Sequence, residues 1–415
     1  MDRPLSGIRV VGMEQYMAAP YCTLLLADAG AEVIKVERTG RGDARRSIPP
    51  FVEKSGIRKA GGFLSYNRNK MSFALDVQKP KGAEIYRRLV ERADVVVENA
   101  RPGAMDRLGL GWEALQALNP RLVYAAISGF GRMPGREGPY GMRPAFDIVA
   151  EAMSGIMNAV GFRDKPPSWT LYGLADIQSG MVTAWGIMLA LFMRERTGRG
   201  QLVDSALFDN MLALNERMVT LYSVAGRPTN RGEHRDFYPR GAFLCRDGYV
   251  ALNVPDDLTW AKLCGAIGRT DLIDDPRSRT GPARAAIEAT LAPILEGWLA
   301  GRSRAEAVDA LNMAGVPTGP VYGAEEVFAD PQVAARGMLM PVTDPQVGTF
   351  RFARTVPHLS AAPVLPAEPA PDLGQHTAAI MRDLLGYDDE AIRSLAAEKV
   401  IQLGDSPTSG RTGAQ

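Results

Sequence analysis

The sequence predicts an α/β protein: an open, mainly parallel sheet covered by helices, with a smaller α+β domain beyond it. Three observations predict this class. Over the first 130 residues short β-branched runs alternate with helical stretches, the order that builds parallel strands joined by crossover helices. After Asp147 the pattern turns helical. Beyond a polar stretch at 225–241, an Asp-Gly pair between apolar runs marks a hairpin, and helices follow it.

Taken in order, residues 8–11 form a short strand, and Pro20 opens a helix through Leu24, Leu25 and Leu26 to Gly30. Residues 32–37 are the next strand, so the connection is a right-handed crossover. Strands at 72–75, 94–98 and 122–128 alternate with helices at 82–92 and 112–118. Helices are expected at 148–159, 177–196 and 206–225. The apolar run 181–193 falls short of the roughly 20 residues a bilayer needs and reads as a buried helix. Gly, Pro, Asn and Arg at 225–241 read as a linker or mobile loop. A hairpin at 242–252 turns on Arg246-Asp247-Gly248, and helices follow at 260–266, 283–298 and 304–314. The Pro- and Ala-rich stretch 360–371 leads to a final helix at 377–385, and the Gly/Ser/Thr-rich 404–415 reads as disordered.

At 415 residues the chain has room for two to three domains of about 150 residues and for a large core. Lys and Arg total 48 against 47 Asp and Glu, which argues against nucleic-acid binding driven by overall charge. Three distant Cys without a CxxC leave no disulfide framework and no zinc knuckle, and suit a reducing cytosol. The three His (His234, His358, His376) have no metal-site spacing and lie near no Gly-x-Ser-x-Gly elbow. Zinc hydrolysis and Ser-His-Asp chemistry are thereby disfavoured. No metal site is expected, and an enzyme built this way would rest its chemistry on a carboxylate. The N-terminal stretch is polar, with no export or membrane signal.

The first βα turn lacks Gly-x-Gly-x-x-Gly and no P-loop occurs, so neither a nicotinamide nor a P-loop site is supported. Arg38 follows the second strand, on the edge where open α/β sheets bind ligands. With Arg41, Arg45 and Arg46 it forms a basic cluster that reads either as a phosphate site or as a solvated loop. Asn99-Ala100-Arg101-Pro102-Gly103 ends a buried strand on the same edge, as a ligand loop or a simple turn. Asp176 stands just before an apolar helix, where it is either an N-cap or a carboxylate nucleophile kept charged by the helix start. Arg143 to Asp147 lie between sheet and helices, with Phe146 more typical of a core than of a ligand platform.

Eight separated blocks together resemble the class III CoA-transferases, the family of formyl-CoA transferase and carnitine CoA-transferase. They are Pro4-Leu5-Ser6-Gly7-Ile8-Arg9-Val10, Leu26-Ala27-Asp28-Ala29-Gly30-Ala31-Glu32-Val33-Ile34-Lys35-Val36-Glu37, Asn67-Arg68-Asn69-Lys70, and Glu98-Asn99-Ala100-Arg101-Pro102-Gly103 with Leu108-Gly109. Ala175-Asp176 with Ser179-Gly180, Thr197-Gly198-Arg199-Gly200-Gln201, Gly315-Val316-Pro317-Thr318-Gly319-Pro320-Val321 and Leu373-Gly374-Gln375-His376-Thr377 follow in the family's order. The resemblance implies an acyl-CoA:carboxylate CoA-transferase in which Asp176 attacks the acyl-CoA thioester. An anhydride and then an aspartyl-CoA thioester form, with no prosthetic group and with coenzyme A and a carboxylic acid as the small-molecule partners. It places CoA contacts at Met17 and Ala18, at Arg38 and Arg107 for the phosphates, at Leu75, Asp76, Val77 and Gln78 on the adenine side, at Asn99, Ala100 and Arg101 beside the pantetheine arm, and at Arg143 and Phe146. The 225–241 segment is a candidate cover that excludes water.

The chain departs from the formyl-CoA enzyme at Met17, where that enzyme has Gln, and has no glycine run in 225–265, which argues against formate or oxalate. The related α-methylacyl-CoA racemases carry a catalytic His where Phe146 precedes Asp147-Ile148, so racemase chemistry would lack one of its two bases. A racemase or isomerase, or a non-catalytic CoA-binding paralogue, remain the alternatives. The family fold implies a Rossmann-like large domain built from both chain ends. On that reading 1–210 begins the large domain, 211–240 is a linker, 241–325 is the small α+β domain, 326–400 returns to the large domain and 401–415 is a disordered tail. An interlocked homodimer is expected by the same resemblance, and a cytoplasmic location from the cysteine usage and the polar N-terminal stretch.

Overall fold

A computed structural model describes residues 3–232, 237–355, 357–363 and 366–404. The chain separates into two compact units, Met1–Arg231 with Leu339–Gln415, and Gly232–Met338. The architecture is mixed α/β, with a large parallel sheet and three smaller antiparallel ones.

The large unit is organised by a seven-stranded sheet. Across it the strands run Ile401–Gln402, Lys70–Leu75, Glu32–Glu37, Arg9–Met13, Val95–Glu98, Val123–Ser128 and Leu202–Ala206. All neighbours pair in parallel except Ile401–Gln402, which is antiparallel to Lys70–Leu75. Counted along the chain, the six parallel strands lie in the doubly wound order 3-2-1-4-5-6. The order reverses between Arg9–Met13 and Val95–Glu98, which opens a crevice at their carboxyl ends.

Adjacent apolar residues send their side chains to opposite faces of this sheet. Val11, Ile34, Val96 and Tyr124 face a layer that includes Ile85, Tyr86 and Leu89 of the Pro80–Val90 helix and Ile380 and Met381. Val10, Val33, Val95 and Val123 face the Ala18–Asp28 and Leu174–Thr197 helices. Those strands therefore read as unbroken β-branched runs, as strands covered on both faces must.

The Leu174–Thr197 helix corrects the expectation of a buried helix over 181–193. It runs for 24 residues and is long and apolar enough by length and composition to cross a membrane. Ser179, Gly180, Thr183, Ala184, Ile187 and Ala190 form its buried stripe, while Trp185, Leu189, Phe192 and Met193 are exposed. The helix expected at 148–159 is two, Asp147–Met153 and Ile156–Ala159, because Gly155 between them takes φ 82°. Residues 211–240, read as a linker, include the helix Glu216–Ala225. Ile401–Gln402 is a strand of the main sheet where a tail was expected; residues 405–415 lie outside the described ones.

The second unit has its own core. The Arg240–Cys245 and Gly248–Asn253 hairpin turns at Arg246-Asp247, and Thr318–Pro320 adds a third antiparallel strand. Phe243, Val250, Trp260, Leu263, Leu295 and Leu311 fill the space between this sheet and the helices Asp257–Ala266, Glu288–Ala300 and Arg304–Met313. Ser303 caps the last helix in a reciprocal box with Glu306.

Candidate active site

Asp176 sits in the first turn of the Leu174–Thr197 helix, but it is not the cap. That position is Gly173, at φ 83°. The left-handed turn admits Gly without strain, and a Cβ there would stand 2.2 Å from Met17 Cε. Two turns beyond Gly173, Gly180 has no side chain for a second reason. A Cβ would lie 2.7 Å from the Ala18 carbonyl and 3.1 Å from the Cys22 nitrogen, so the two helices close backbone to backbone. Gly173 and Gly180 together bring the start of this helix against Met17 and Ala18.

The capping is done from a distance by Asp147. Its carboxylate accepts from the backbone N–H of Gly173 at 3.2 Å, Ala175 at 2.6 Å and Asp176 at 3.4 Å, and from Trp169 Nε1 at 3.3 Å. Asp147 thus satisfies the helix's free donors and leaves the Asp176 carboxyl without a capping duty. Burial pushes that carboxyl up, the Asp147 charge adds to the push, and the Arg45 guanidinium opposes both; the outcome is about 7. The expectation of a carboxylate kept charged by the helix start is corrected: partial desolvation and a like charge outweigh the helix dipole. Tyr66, whose hydroxyl is itself pushed up by burial, feels the charges of Arg45 and Asp176.

The basic cluster after the second strand divides. Arg38 and Arg41 are exposed, whereas Arg45 is buried and Arg46 pairs with Glu37 at 2.8 Å. The reading of all four as one solvated loop does not hold, because the chain turns back here over a buried polar network. Lys35 Nζ donates to Asp43 Oδ2 at 2.8 Å and to the Glu14 carbonyl at 3.1 Å. Lys70 Nζ reaches Glu14 Oε1 at 2.8 Å, the Pro20 carbonyl at 2.9 Å and Asn67 Oδ1 at 3.1 Å. Burial pulls Lys70 down to about 8. Burial would also raise Glu37, but the Arg46 hydrogen bonds and charge win and hold it near 2. Asp43 accepts from the N–H of Tyr16 at 3.1 Å and of Arg45 at 2.9 Å. It thereby fixes Tyr16 at φ 65°, an unusual conformation for a tyrosine.

The residues expected to hold CoA fall along the carboxyl edge of the sheet. Gln15 and Asn99 clasp the two loops that flank the crevice, N–H to Oδ1 at 3.0 Å and Nδ2 to carbonyl at 2.8 Å. Glu98 is buried, and its carboxylate accepts the Ala100 N–H at 2.7 Å and the Tyr124 hydroxyl at 3.2 Å and pairs with Arg132. That fixes the start of the Asn99, Ala100 and Arg101 loop. Met17 and Ala18 are buried under this edge, and Leu75 ends its strand two places across the sheet, with Asp76, Val77 and Gln78 turning away from it. Arg38, Arg101 and Arg107 are exposed. Phe146 is the cap of the Asp147–Met153 helix and is 65% exposed, edge-on to Tyr16 at 6.2 Å. It is a surface ring and not the core residue its type favours. Arg143 lies over the Tyr140 ring at 4.0 Å. The structure therefore joins Met17, Ala18, Asn99, Phe146 and Asp176 through the Gln15–Met17 turn, and sets Arg38 and Leu75 to Gln78 along the same edge.

Arg45 and Asp147 fall in stretches that the sequence singles out, but their roles, a buried cation and a remote cap, are not read from it. Of the 225–241 segment, residues 233–236 lie outside the described ones. Among the described residues no group of three or more His, Cys, Asp or Glu side chains is placed to hold a metal ion.

A half-buried carboxyl at the start of the Leu174–Thr197 helix, beside the crevice at the carboxyl edge of a doubly wound sheet, marks the candidate site. The chain belongs to CoA-transferase family III, whose family model matches residues 5–377. It is 36% identical over 405 residues to the succinyl-CoA:D-citramalate CoA-transferase of Chloroflexus aurantiacus, covering 96% of this chain and 98% of that one. It is 34% identical over 403 residues to the succinyl-CoA:glutarate CoA-transferase of Mus musculus, covering 96% and 91%. The crystal structure of a CaiB/BaiF family protein from Brucella suis superposes with a TM-score of 0.82 at 37% identity, covering 92% of this chain and 100% of that one.

Proposed function

We propose that this CoA-transferase moves CoA from an acyl-CoA to a carboxylic acid through covalent intermediates on Asp176. The observation that carries this reading is the Asp176 carboxyl itself, half-buried beside the crevice and raised to about 7. A carboxylate of ordinary basicity is a weak nucleophile; one desolvated to this degree is more basic yet still ionised in good part at neutral pH.

In the first step an Asp176 oxygen bonds to the thioester carbonyl carbon and CoA leaves as thiolate, giving a mixed anhydride. The thiolate then attacks the Asp176 carbonyl, releasing the donor acid and leaving an aspartyl-CoA thioester. The acceptor carboxylate attacks in its turn, a second anhydride forms, and the returning thiolate takes the new acyl group. Asp176 ends as it began. Met17, Ala18 and the Asn99 to Arg101 loop would line the pantetheine arm, with Leu75 to Gln78 on the adenine side and Arg38 and Arg107 for phosphate charge. Arg143 and Phe146 would flank the mouth. The relatives' names favour succinyl-CoA as donor and a dicarboxylic acid such as glutarate or D-citramalate as acceptor.

The exposed Trp185, Phe192 and Met193 on the Leu174–Thr197 helix support the homodimer expected by resemblance; sedimentation at micromolar concentration tests it. The chemistry is tested by a panel of CoA esters against mono- and dicarboxylic acids, with mass spectrometry of the Asp176 peptide after donor alone. Acyl exchange with CoA or acyl mass on Asp176 is the expected result. Exchange of the α-hydrogen with deuterium but no acyl transfer would point to the racemase, and an Asp176→Ala protein with full transfer activity would remove the nucleophile.

A further inference from the structure

Arg45 is a buried cation whose charge acts on Asp176. Its backbone is pinned by Asp43, and its side chain is only 6% exposed. The guanidinium carbon lies 5.9 Å from the Tyr66 ring and 5.7 Å from the Tyr172 ring. Nη1 donates to the Tyr172 hydroxyl at 3.1 Å. Nε is buried and has no partner, and among the described residues no carboxylate stands within ion-pair distance of this guanidinium. A buried guanidinium normally finds a carboxylate, because its N–H groups form a rigid fork matched to one. Here Nε and Nη2 lie against Gly62, Nη1 holds the Tyr172 hydroxyl just ahead of the Leu174–Thr197 helix, no carboxylate among the described residues answers the charge, and that charge acts on Asp176.

We propose that Arg45 seats the substrate's reacting carboxylate, first the donor acid as it leaves and then the acceptor acid as it attacks. The proposal rests on Asp176 being the covalent group. While Asp176 is ionised, it supplies the negative charge facing Arg45. Once acylated or held as a thioester it is neutral, and the buried Arg45 charge is unbalanced at a fixed place. An incoming carboxylate restores the balance there. One of its oxygens then bonds to the Asp176 carbonyl carbon, and the C–S electron pair leaves with the CoA thiolate. When the thiolate attacks the substrate's acyl carbon, the C–O pair returns to Asp176 and the original pairing is recovered. Arg45 would thus select anionic nucleophiles over water, alcohols and amines, so its role is specificity as well as rate.

Two variants separate this from a structural role. Arg45→Gln removes the charge. Gly62→Ala keeps it but displaces it, since a Cβ at Gly62 would lie 2.5 Å from Arg45 Nε and 2.6 Å from Nη2. Gly62 stands in the Gly61–Tyr66 helix without a positive φ, so alanine suits the backbone and the protein should fold. The loaded enzyme is prepared from the fastest donor of the panel, and its single-turnover decay is followed with carboxylic acid and, separately, with neutral hydroxylamine. Loss of a charge-assisted hydrogen bond should slow the acid reaction about 10- to 100-fold in both variants. Hydroxylamine should react within about twofold of wild type, and Arg45→Lys should recover part of the acid rate. Equal losses with both nucleophiles, or no loss with acid, would overturn the assignment of Arg45 alone. A wild-type enzyme that never carries a group on Asp176 overturns the reading beneath it as well.

Discussion

Replacing Asp176 by asparagine should inactivate the enzyme and stabilise it, by an amount that depends on pH. Unfolded, the carboxyl releases its proton near the ordinary 3.8; folded, it holds it to about 7. Between these values the folded state binds more protons, so the wild type loses stability as pH rises from about 4 to about 7. At about 1.36 kcal/mol per pH unit, the penalty relative to a neutral side chain is roughly 2 kcal/mol at about pH 5 and roughly 4 kcal/mol at about pH 8. Asparagine is nearly isosteric, escapes the repulsion from Asp147 and can donate to it. The assay is calorimetric melting of wild type and Asp176→Asn at those two pH values, read on the transition of the large unit. The variant should melt higher at both, with the gap roughly doubling at the higher pH. A gap that is constant with pH, or a variant less stable at about pH 8, would refute the claim that Asp176 carries a buried-charge penalty.

The same carboxyl sets the kinetics. Acylation of Asp176 by donor alone should rise about tenfold per pH unit below 7 and level off above it, as measured by quenched-flow mass spectrometry. Gly173→Ala should cost about 1–2 kcal/mol in backbone strain and push Met17 aside, lowering both melting temperature and acylation rate. Lys70→Met leaves Glu14 buried with only part of its pairing and should destabilise the large unit by about 3–5 kcal/mol in urea melts. By the same reasoning Asp147→Ala should lower the pH midpoint of acylation while weakening the start of the Leu174–Thr197 helix, a combination that a simple loss of stability does not give.

What could be read in the sequence was local. Val10-Val11, Val33-Ile34 and Val95-Val96-Val97 announce strands covered on both faces, and the apolar run after Asp176 announces its helix. What was not legible is what the fold brings from afar. Asp147 takes over the capping expected of Asp176 from 29 positions away, and no window around Asp176 contains that fact. Arg45 lies among four arginines in nine residues, a pattern that reads as solvent-facing, and its burial depends on a network that joins Glu14, Lys35, Asp43 and Lys70. Leu202–Ala206 contains Asp and Ser and lacks the β-branched run of the other strands, so its place at the sheet edge follows from pairing with Val123–Ser128 and not from its own composition. The helix Asp389–Ala397 and the hairpin Leu339–Asp344 with Gly348–Ala353 went unread for the same reason.

The short strand Ile401–Gln402 has a consequence for how the molecule is made. It closes the flank of Lys70–Leu75, and Val400 accepts the Asp76 N–H at 2.8 Å, while Gln402 Oε1 accepts the Gly40 N–H at 2.7 Å. Residues separated by more than 300 positions thus complete one sheet edge. During synthesis that edge stays unpaired through the time needed to translate the whole second unit, at about 5–20 residues per second. An open strand edge carrying Met71, Phe73 and Leu75 is a template for pairing with other chains. The nascent large unit therefore passes through a window of tens of seconds with this edge open, and the wall assigned to the adenine side of CoA is among the last parts of the enzyme to take shape.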